Sequence, residues 1–274
     1  MTSPDSTQEP TSAESHSVKY FFFDYDGTLA IPRTRTIPQD TLDVLDQLRK
    51  KGHVVALATG RMQCNALDYI SSAGISNLVA DGGYSVTIDG TLTWMSPLDL
   101  EMCKDFLHRL DAADIPWAVQ TENILTRYTP NPRFESLSED YYVATQLVPD
   151  LRIEDLTQVL KIYLPCTLEQ EEQWTREGLF DGVPAIRYNS TSVFIEPMDK
   201  QLGIKRMLDH FKAPYQDAVV FGDGLNDISM FIPEWTSIAM GNAHPRLKEL
   251  ADYVTDDCDK GGIANACRHF GWID

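Results

Sequence analysis

Short apolar runs alternate with amphipathic segments along the first part of the chain. The runs VKYFFFD and HVVALATG have the apolar character of buried strands, and residues 38–52 between them carry leucine at every third position from Leu42 to Leu48. This intervening segment begins at a proline and ends in three cations before a glycine, which are typical helix-end signals. A strand, a helix and a strand in succession predict a parallel sheet with a crossover helix.

The alternation of apolar runs and amphipathic segments is interrupted between residues 84 and 196 and then resumes. This middle region contains prolines, several tyrosines and strand-like pieces such as PWAVQT and VLKIYL, a mixture that predicts an α+β unit. From Lys200 onward a helical segment and two apolar runs restore the earlier alternation, with a final short strand near Tyr253. The predicted fold class is α/β, with a doubly wound (Rossmann-like) parallel sheet as the core and an inserted α+β cap domain.

The predicted domain limits follow from these changes of pattern. We expect a core built from residues 18–83 and 197–274, and a cap over residues 84–196 that sets substrate specificity. Residues 1–17 have neither an apolar stretch nor a basic start, so they do not resemble a signal peptide. Their polar composition predicts a disordered leader.

Three of the predicted strands end in polar clusters. In order along the chain, the clusters are Asp24 with Asp26, then Thr59, Gly60 and Arg61, then Asp223 with Asn226 and Asp227. Ligands of open parallel sheets bind beyond the carboxyl ends of the strands, so the three clusters can share one crevice. That coincidence carries more weight than any one cluster alone.

Taken one at a time, these features and Lys200, at the start of the next predicted helix, have ordinary explanations. The Asp-Gly of DYDGT is a common turn dipeptide, Thr59 can cap the helix that follows it, and Lys200 can be a solvated surface lysine. A calcium loop starting at Asp24 is excluded, because Leu29 and Arg35 stand where it needs glycine and glutamate. GDGLND lacks the third glycine of a dinucleotide fingerprint, and no loop of the GxxxxGKS or GxxxxGKT type occurs.

Charge and cysteine content narrow the function classes. The 41 acidic and 23 basic side chains give a formal net charge of −18, which opposes binding to nucleic acid or to anionic membrane surfaces. No apolar run reaches the roughly 18 residues that a membrane span requires. The five cysteines show neither a CxxC pair nor zinc spacing, which is typical of thiols in a reducing cytosol and predicts a cytoplasmic protein.

These motifs together resemble the haloacid dehalogenase superfamily of phosphatases, and specifically its Cof-type group with an inserted α/β cap. DYDGT is similar to the first motif of that family, TGR to the second, Lys200 to the third and GDGLND to the fourth. IAMGNA and VTDDCDKGGI also resemble the end of that group. The resemblance covers residues 18–274, is specific in the core and is weak in the cap.

The resemblance implies an aspartyl-phosphate mechanism with Mg²⁺ as the cofactor. Asp24 would be the nucleophile, Asp26 the general acid and base, and Lys200 the third catalytic residue. A carboxylate suits the first role because it is ionised at neutral pH. The implied metal ligands are Asp24, Asp26 through its backbone carbonyl, Asp223 and Asp227, and the implied phosphate-binding residues are Thr59, Gly60, Lys200 and Asn226.

The implied function is a Mg²⁺-dependent phosphohydrolase acting on small phosphorylated metabolites, with sugar phosphates among the candidates. Two alternatives stay open: a phosphomutase on the same fold, and a ligand-binding protein that has lost turnover. The chain departs from the family pattern at Asp81-Gly82, where Asn-Gly is usual, and after Lys200, where Gln-Leu precedes the glycine. The cap aromatics favour a core role over a pocket role, so no specificity residue is predicted; they are Trp94, Trp117, Tyr128, Tyr141, Tyr142 and Trp174.

Overall fold

The computed structural model describes residues 17–71, 73–138 and 142–274. The predicted disordered leader therefore lies outside the described residues except at its last position, and Tyr141 lies outside them as well. Within the described ranges, none of the helices is both long enough and apolar enough to cross a membrane.

The secondary structure alternates strands and helices at both ends of the chain. The strands are β1 Tyr20–Phe23, β2 Val54–Ala58, β3 Asn77–Ala80, β4 Ser85–Ile88, β5 Thr91–Met95, β6 Ala118–Gln120, β7 Thr126–Thr129, β8 Ala144–Leu147, β9 Lys161–Pro165, β10 Ala185–Arg187, β11 Ser192–Ile195, β12 Ala218–Gly222, β13 Thr236–Ala239 and β14 Tyr253–Val254. The helices are α1 Gln39–Lys50, α2 Gln63–Ser71, α3 Leu100–Ala112, α4 Phe134–Leu137, α5 Leu168–Arg176, α6 Lys200–Phe211, α7 Pro245–Leu250 and α8 Gly262–His269.

One sheet has eight strands in the order β14-β13-β12-β1-β2-β3-β4-β5. The strands from β14 to β3 run parallel to one another, and β1 lies between β12 and β2. All three phenylalanines of β1 are fully buried. A central parallel strand is covered on both faces, so its residues are apolar without alternation. The doubly wound parallel sheet predicted from the sequence is confirmed.

The same sheet continues beyond the limit predicted for the core. Strands β4 and β5 pair antiparallel with β3 and with each other, although residues 85–95 lie in the range predicted for the cap. An antiparallel hairpin needs no crossover helix, so these residues lack the strand and helix alternation on which the prediction depended. The division into domains at residues 83 and 197 stays a prediction.

The other six strands form a second, mixed sheet in the order β10-β11-β9-β6-β7-β8. Alternation along the strands separates its two faces. Residues such as Ile162 and Val193 pack with the side chains of α3, whereas Tyr163 and Phe194 join a cluster that includes Met62, which precedes α2. We call this second side the inner face; it carries Lys161, Tyr163, Ile186, Tyr188, Phe194 and Glu196.

The tryptophans predicted to be core residues occupy core positions. Trp117 is 2% exposed within the apolar cluster of the second sheet, and Trp174 packs against that cluster. Trp94, on β5, packs against the core of the first sheet. Tyr142 differs, since it is exposed. The interpretation as a core residue is confirmed for Trp117, whereas Trp94 and Trp174 are only partly buried.

The ends of the first two helices can be compared with the helix-end signals predicted from the sequence. Helix α1 follows Pro38 and ends before Gly52, as predicted. Helix α2 begins at Gln63, and the amide of Gln63 donates to Asp81 Oδ2 at 3.1 Å. Asp81 therefore caps α2, and Thr59 instead accepts a bond from the amide of Arg61 at 3.1 Å.

Candidate active site

The three polar clusters lie at one edge of the large sheet. Strands β12, β1 and β2 are adjacent and parallel, so Asp223, Asp24 and Thr59 each follow a strand end at the same side. The amide of Asp24 continues the ladder by donating to the carbonyl of Phe221 at 2.9 Å. Carboxylate oxygens of Asp24, Asp223 and Asp227 lie within 4.8 Å of one another. The convergence of these clusters that the strand ends predict is thus observed.

Lys200 lies at the centre of this carboxylate cluster. The side chain is 1% exposed, and its Nζ donates to Asp24 Oδ1 at 2.6 Å, to Asp227 Oδ1 at 2.5 Å and to the carbonyl of Ala58 at 2.8 Å. A cation at the first position of α6 opposes the helix dipole, and the two carboxylates offset that effect. Lys200 therefore links Asp24 and Asp227 to the end of β2, immediately before Thr59.

The pKa values of Asp24, Asp223 and Lys200 reflect burial and an excess of negative charge in the cluster. Burial raises the pKa of Asp24 well above its usual range, and the charge of Asp227 raises it further. The same two causes raise the pKa of Asp223 to about 7. Burial lowers the pKa of Lys200, but Asp227 and Asp24 together raise it above its ordinary value. One ammonium faces three carboxylates, and an all-oxygen set of this kind fits a divalent cation such as Mg²⁺.

The loop after β1 is shaped around Asp223. Gly27 has a φ of +88°, and a Cβ built on it would lie 2.2 Å from Asp223 Oδ2, so a side chain has no room there. Thr28 donates its hydroxyl to Asp223 Oδ1 at 3.0 Å. The glycine and threonine of DYDGT thus serve the approach of Asp223 to Asp24, a role that the sequence reasoning did not assign.

Asp227 accepts hydrogen bonds both from the loop after β12 and from Lys200. Its Oδ2 accepts bonds from the amides of Asp223 and Gly224, both at 2.9 Å, while its Oδ1 accepts from Lys200. Asn226 lies half-buried in the same loop, within the short 3₁₀ helix Leu225–Met230. Both oxygens of Asp227 are therefore engaged in fixing neighbouring groups.

The carboxylate of Asp26 pairs with Arg61 and is not in the group of mutually close carboxylates formed by Asp24, Asp223 and Asp227. Arg61 donates to both oxygens of Asp26, with its Nη2 at 2.7 Å from Oδ2 and 2.9 Å from Oδ1. The guanidinium carbon lies 4.3 Å from the centre of the Tyr69 ring and 5.3 Å from that of Tyr25. The structure therefore does not bring the Asp26 carboxylate to Asp24, and Arg61 is a partner that the sequence reasoning missed.

Asp81, the departure from the usual asparagine, is explained by local structure. Besides capping α2, its Oδ2 accepts a bond from the hydroxyl of Ser85 at 2.7 Å. Burial raises the pKa of Asp81 to about 6. The side chain is thus engaged with the protein's own backbone and Ser85, and its carboxylate oxygen is committed to these donors.

A fold with this site defines a class of enzyme. The chain matches the model of the haloacid dehalogenase-like hydrolase family over residues 21–267, and it belongs to that family. The resemblance stated from the sequence motifs is thereby confirmed. The protein is a hydrolase with phosphatases among its relatives.

Several known proteins are similar over nearly the whole chain. YkrA of Bacillus subtilis (strain 168), provisionally named a phosphatase, is 29% identical, covering 93% of this chain and 98% of its own length. HMP-PP phosphatase of Yersinia pseudotuberculosis serotype O:1b (strain IP 31758) is 24% identical, covering 90% and 93%. The solved structure of the HAD subclass IIB sugar phosphatase BT4131 has a TM-score of 0.74 and 27% identity, covering 93% of this chain and 100% of that one.

Proposed function

We propose that this protein is a Mg²⁺-dependent phosphohydrolase that removes phosphate from small phosphorylated metabolites. The observation that carries the proposal is the buried ammonium of Lys200, which bonds both Asp24 and Asp227 while Asp223 stands beside them. Positioned charges of this kind are what phosphoryl transfer requires. The names of the relatives support metabolite-sized substrates. Cytoplasmic metabolites are proposed, since the five cysteines are free thiols, as in a reducing compartment.

Asp24 is the proposed nucleophile. Its carboxylate would attack phosphorus and displace the ester oxygen, forming an aspartyl-phosphate that water then hydrolyses. The position of Asp24 directly after a buried central strand holds the carboxylate in a fixed direction, which favours attack. Lys200, Thr59, Gly60 and Asn226 would bind the phosphoryl oxygens and stabilise their charge in the transition state.

Asp24, Asp223 and the backbone carbonyl of Asp26 would hold the Mg²⁺ ion. When bound, the ion would neutralise the crowded carboxylates and polarise the phosphoryl group. Asp227 would stand near the ion and support the site by keeping Lys200 and the loop after β12 in place, as its hydrogen bonds indicate.

An assay of phosphate release from a panel of phosphate monoesters tests the proposed function. We expect release that requires added Mg²⁺ and stops when the metal is chelated. Product analysis separates hydrolysis from phosphomutase activity, because only hydrolysis transfers the phosphoryl group to water. Absence of Mg²⁺-dependent release from every ester, p-nitrophenyl phosphate included, would contradict the proposal.

Asp26 is the proposed general acid, and its replacement should affect esters according to their leaving groups. Because Arg61 holds the carboxylate in the structure, proton delivery requires Asp26 to rotate away from that partner. We expect Asp26→Asn to lower kcat for alkyl phosphates by on the order of 100-fold. The loss should be much smaller for p-nitrophenyl phosphate, whose leaving group departs as a stable anion. Equal losses on both esters would contradict a proton-transfer role.

The raised pKa of Asp223 predicts how pH and Mg²⁺ affect stability. Its pKa is about 7 in the folded protein, against about 3.9 for an unfolded aspartate. The folded state therefore binds this proton more tightly, so stability should fall as pH rises from about 4 to about 7 without metal. Mg²⁺ binds the ionised form, and we expect it to raise Tm more at pH 8 than at pH 5. In Asp223→Asn the two Tm increments should differ less than in the wild type; similar increments in the wild type would contradict the prediction.

A further inference from the structure

The inner face of the second sheet reaches the candidate active site at Tyr188. This residue follows β10, and the alternation of side chains places it on the same face as Ile186 and Phe194. Its hydroxyl lies so close to Gly60 that a Cβ built on that glycine would be 2.8 Å away. Gly60 belongs to the proposed phosphate-binding loop, so Tyr188 stands beside the proposed phosphate position.

A buried ion pair holds the hydroxyl of Tyr188. The hydroxyl donates to Glu196 Oε1 at 2.5 Å, and the other carboxylate oxygen pairs with Lys161 Nζ. Glu196 is 2% exposed and Lys161 is 6% exposed. Since a buried ion pair adds little net stability, its main effect here is to orient the groups that it contacts. The tip of Tyr188 is thereby fixed.

The ring of Tyr188, in contrast to its hydroxyl, is open to solvent. The residue is 49% exposed, and the Phe194 ring that supports it is centred 5.8 Å away. Burial of the hydroxyl and the charge of Glu196 raise the pKa of Tyr188 well above its usual value, with further contributions from Asp24 and Asp227. A fixed aromatic ring with a free surface beside a phosphate site can hold the rest of the substrate.

The charges around the crevice limit what the rest of the substrate can carry. Lys161 and Lys200 are paired with buried carboxylates, and Arg61 is paired with Asp26 until that carboxylate rotates to deliver its proton. The formal net charge of −18 adds repulsion at longer range. A leaving group that bears a carboxylate or a second phosphate would therefore find both of these lysines already paired with buried carboxylates. An uncharged leaving group fits better.

We propose that Tyr188 is a specificity-determining residue that stacks against the uncharged ring of a ring-bearing phosphate monoester. Glu196 and Lys161 are positioning residues that hold Tyr188 in place. The proposal rests on the proposed phosphohydrolase function. Aromatic side chains contact the faces of aromatic rings and the C–H faces of sugar rings, and either ring would meet the same surface.

The test compares ring-bearing and open-chain esters in matched variants. The substrates are p-nitrophenyl phosphate with an aromatic ring, glucose 6-phosphate with a sugar ring, and glycerol 2-phosphate with no ring. The variants are Tyr188→Leu, Tyr188→Phe and the control Tyr128→Leu. Tyr128 also donates to a glutamate, Glu122 at 3.2 Å, but it pairs in register with Val119 on the opposite face of the sheet. kcat and KM are measured for each combination.

We expect Tyr188→Leu to lower kcat/KM for the ring-bearing esters by about tenfold and to leave glycerol 2-phosphate nearly unchanged. Tyr188→Phe keeps the ring but loses the bond to Glu196, so it should retain the ring preference only in part, as Glu196→Ala does, and Tyr128→Leu should match the wild type. Glu196→Ala should weaken the preference mainly through KM, and Glu196→Gln, which keeps an oxygen acceptor, should restore it. A loss confined to one ring-bearing ester identifies the kind of ring.

Two results would overturn the role of Tyr188 while leaving the proposed function intact. One is an equal change, or no change, for all three esters in Tyr188→Leu. The other needs no variant: a wild-type kcat/KM for glycerol 2-phosphate that equals or exceeds the values for both ring-bearing esters. If the wild type released phosphate from no ester of the full panel, these three included, the proposed function would fail, and the role of Tyr188 with it.

Discussion

Replacing Asp24 with asparagine is expected to lower kcat/KM for phosphate release by about 10⁴-fold or more. An amide has nearly the shape of a carboxylate but cannot attack phosphorus, so binding should persist while turnover stops. Steady-state phosphate release at saturating Mg²⁺ measures the loss. The variant should remain folded, because the substitution removes one of three crowded carboxylates.

The matched control for this experiment is Asp217→Asn. Asp217 also accepts a bond from a lysine, Lys19 at 2.7 Å, but it precedes β12, whereas the candidate site follows that strand. We expect its activity to stay close to that of the wild type, since the pair lies at the opposite end of β12 from the candidate site. If Asp24→Asn were as active as this control, Asp24 would not be the nucleophile.

Lys200→Met is expected to impair both activity and stability. Without the ammonium, Asp24 and Asp227 are buried without their cation, which costs about 3–5 kcal/mol of the free energy of unfolding. The transferring phosphoryl group also loses its positioned cation, so kcat should fall by on the order of 10³-fold. Denaturant unfolding at neutral pH without metal measures the first effect, and phosphate release measures the second.

Lys205→Met is the control, because Lys205 lies on the same helix and pairs with the partly exposed Glu234 at 3.4 Å. That variant should lose at most about 1 kcal/mol and little activity. Adding Asp24→Asn to Lys200→Met should recover part of the lost stability, since one unpaired charge is removed. Strictly additive losses in the double variant would show that the two side chains do not interact.

The sequence was sufficient to predict which segments meet at the candidate site. Apolar runs end at Asp24, Thr59 and Asp223, and the rule for strand ends in parallel sheets places such residues at one edge. These predictions depended on local pattern and on the general geometry of the sheet, both of which are encoded over short stretches. Lys200 is instead identified by its resemblance to the third motif of the family.

The contacts that depend on side-chain direction were beyond the sequence reasoning. Arg61 stands next to Gly60 in TGR, but only the structure shows that its guanidinium reaches Asp26. Asp81 departs from the usual asparagine, and only the structure shows that its carboxylate caps α2. In such cases several partners are within reach along the chain, and packing selects one.

Tyr188 was absent from the aromatic residues considered for the pocket. It follows a strand of only three residues, which is too short for an alternating pattern to predict the side of the sheet on which Tyr188 lies. Its relation to Gly60 depends on how one sheet rests on the other, which no short stretch of sequence encodes. The residues of β4 and β5 were likewise assigned to the predicted cap by their position in the chain, although β4 pairs with β3.

Strand β1 has β2, its near neighbour in sequence, on one side and β12, from the last third of the chain, on the other. The second pairing closes a loop of nearly two hundred residues, a step that slows folding. During renaturation, helical content and collapse should therefore return before Asp24 and Asp223 face each other. The rate at which catalytic activity returns would then report the rate at which β1 pairs with β12.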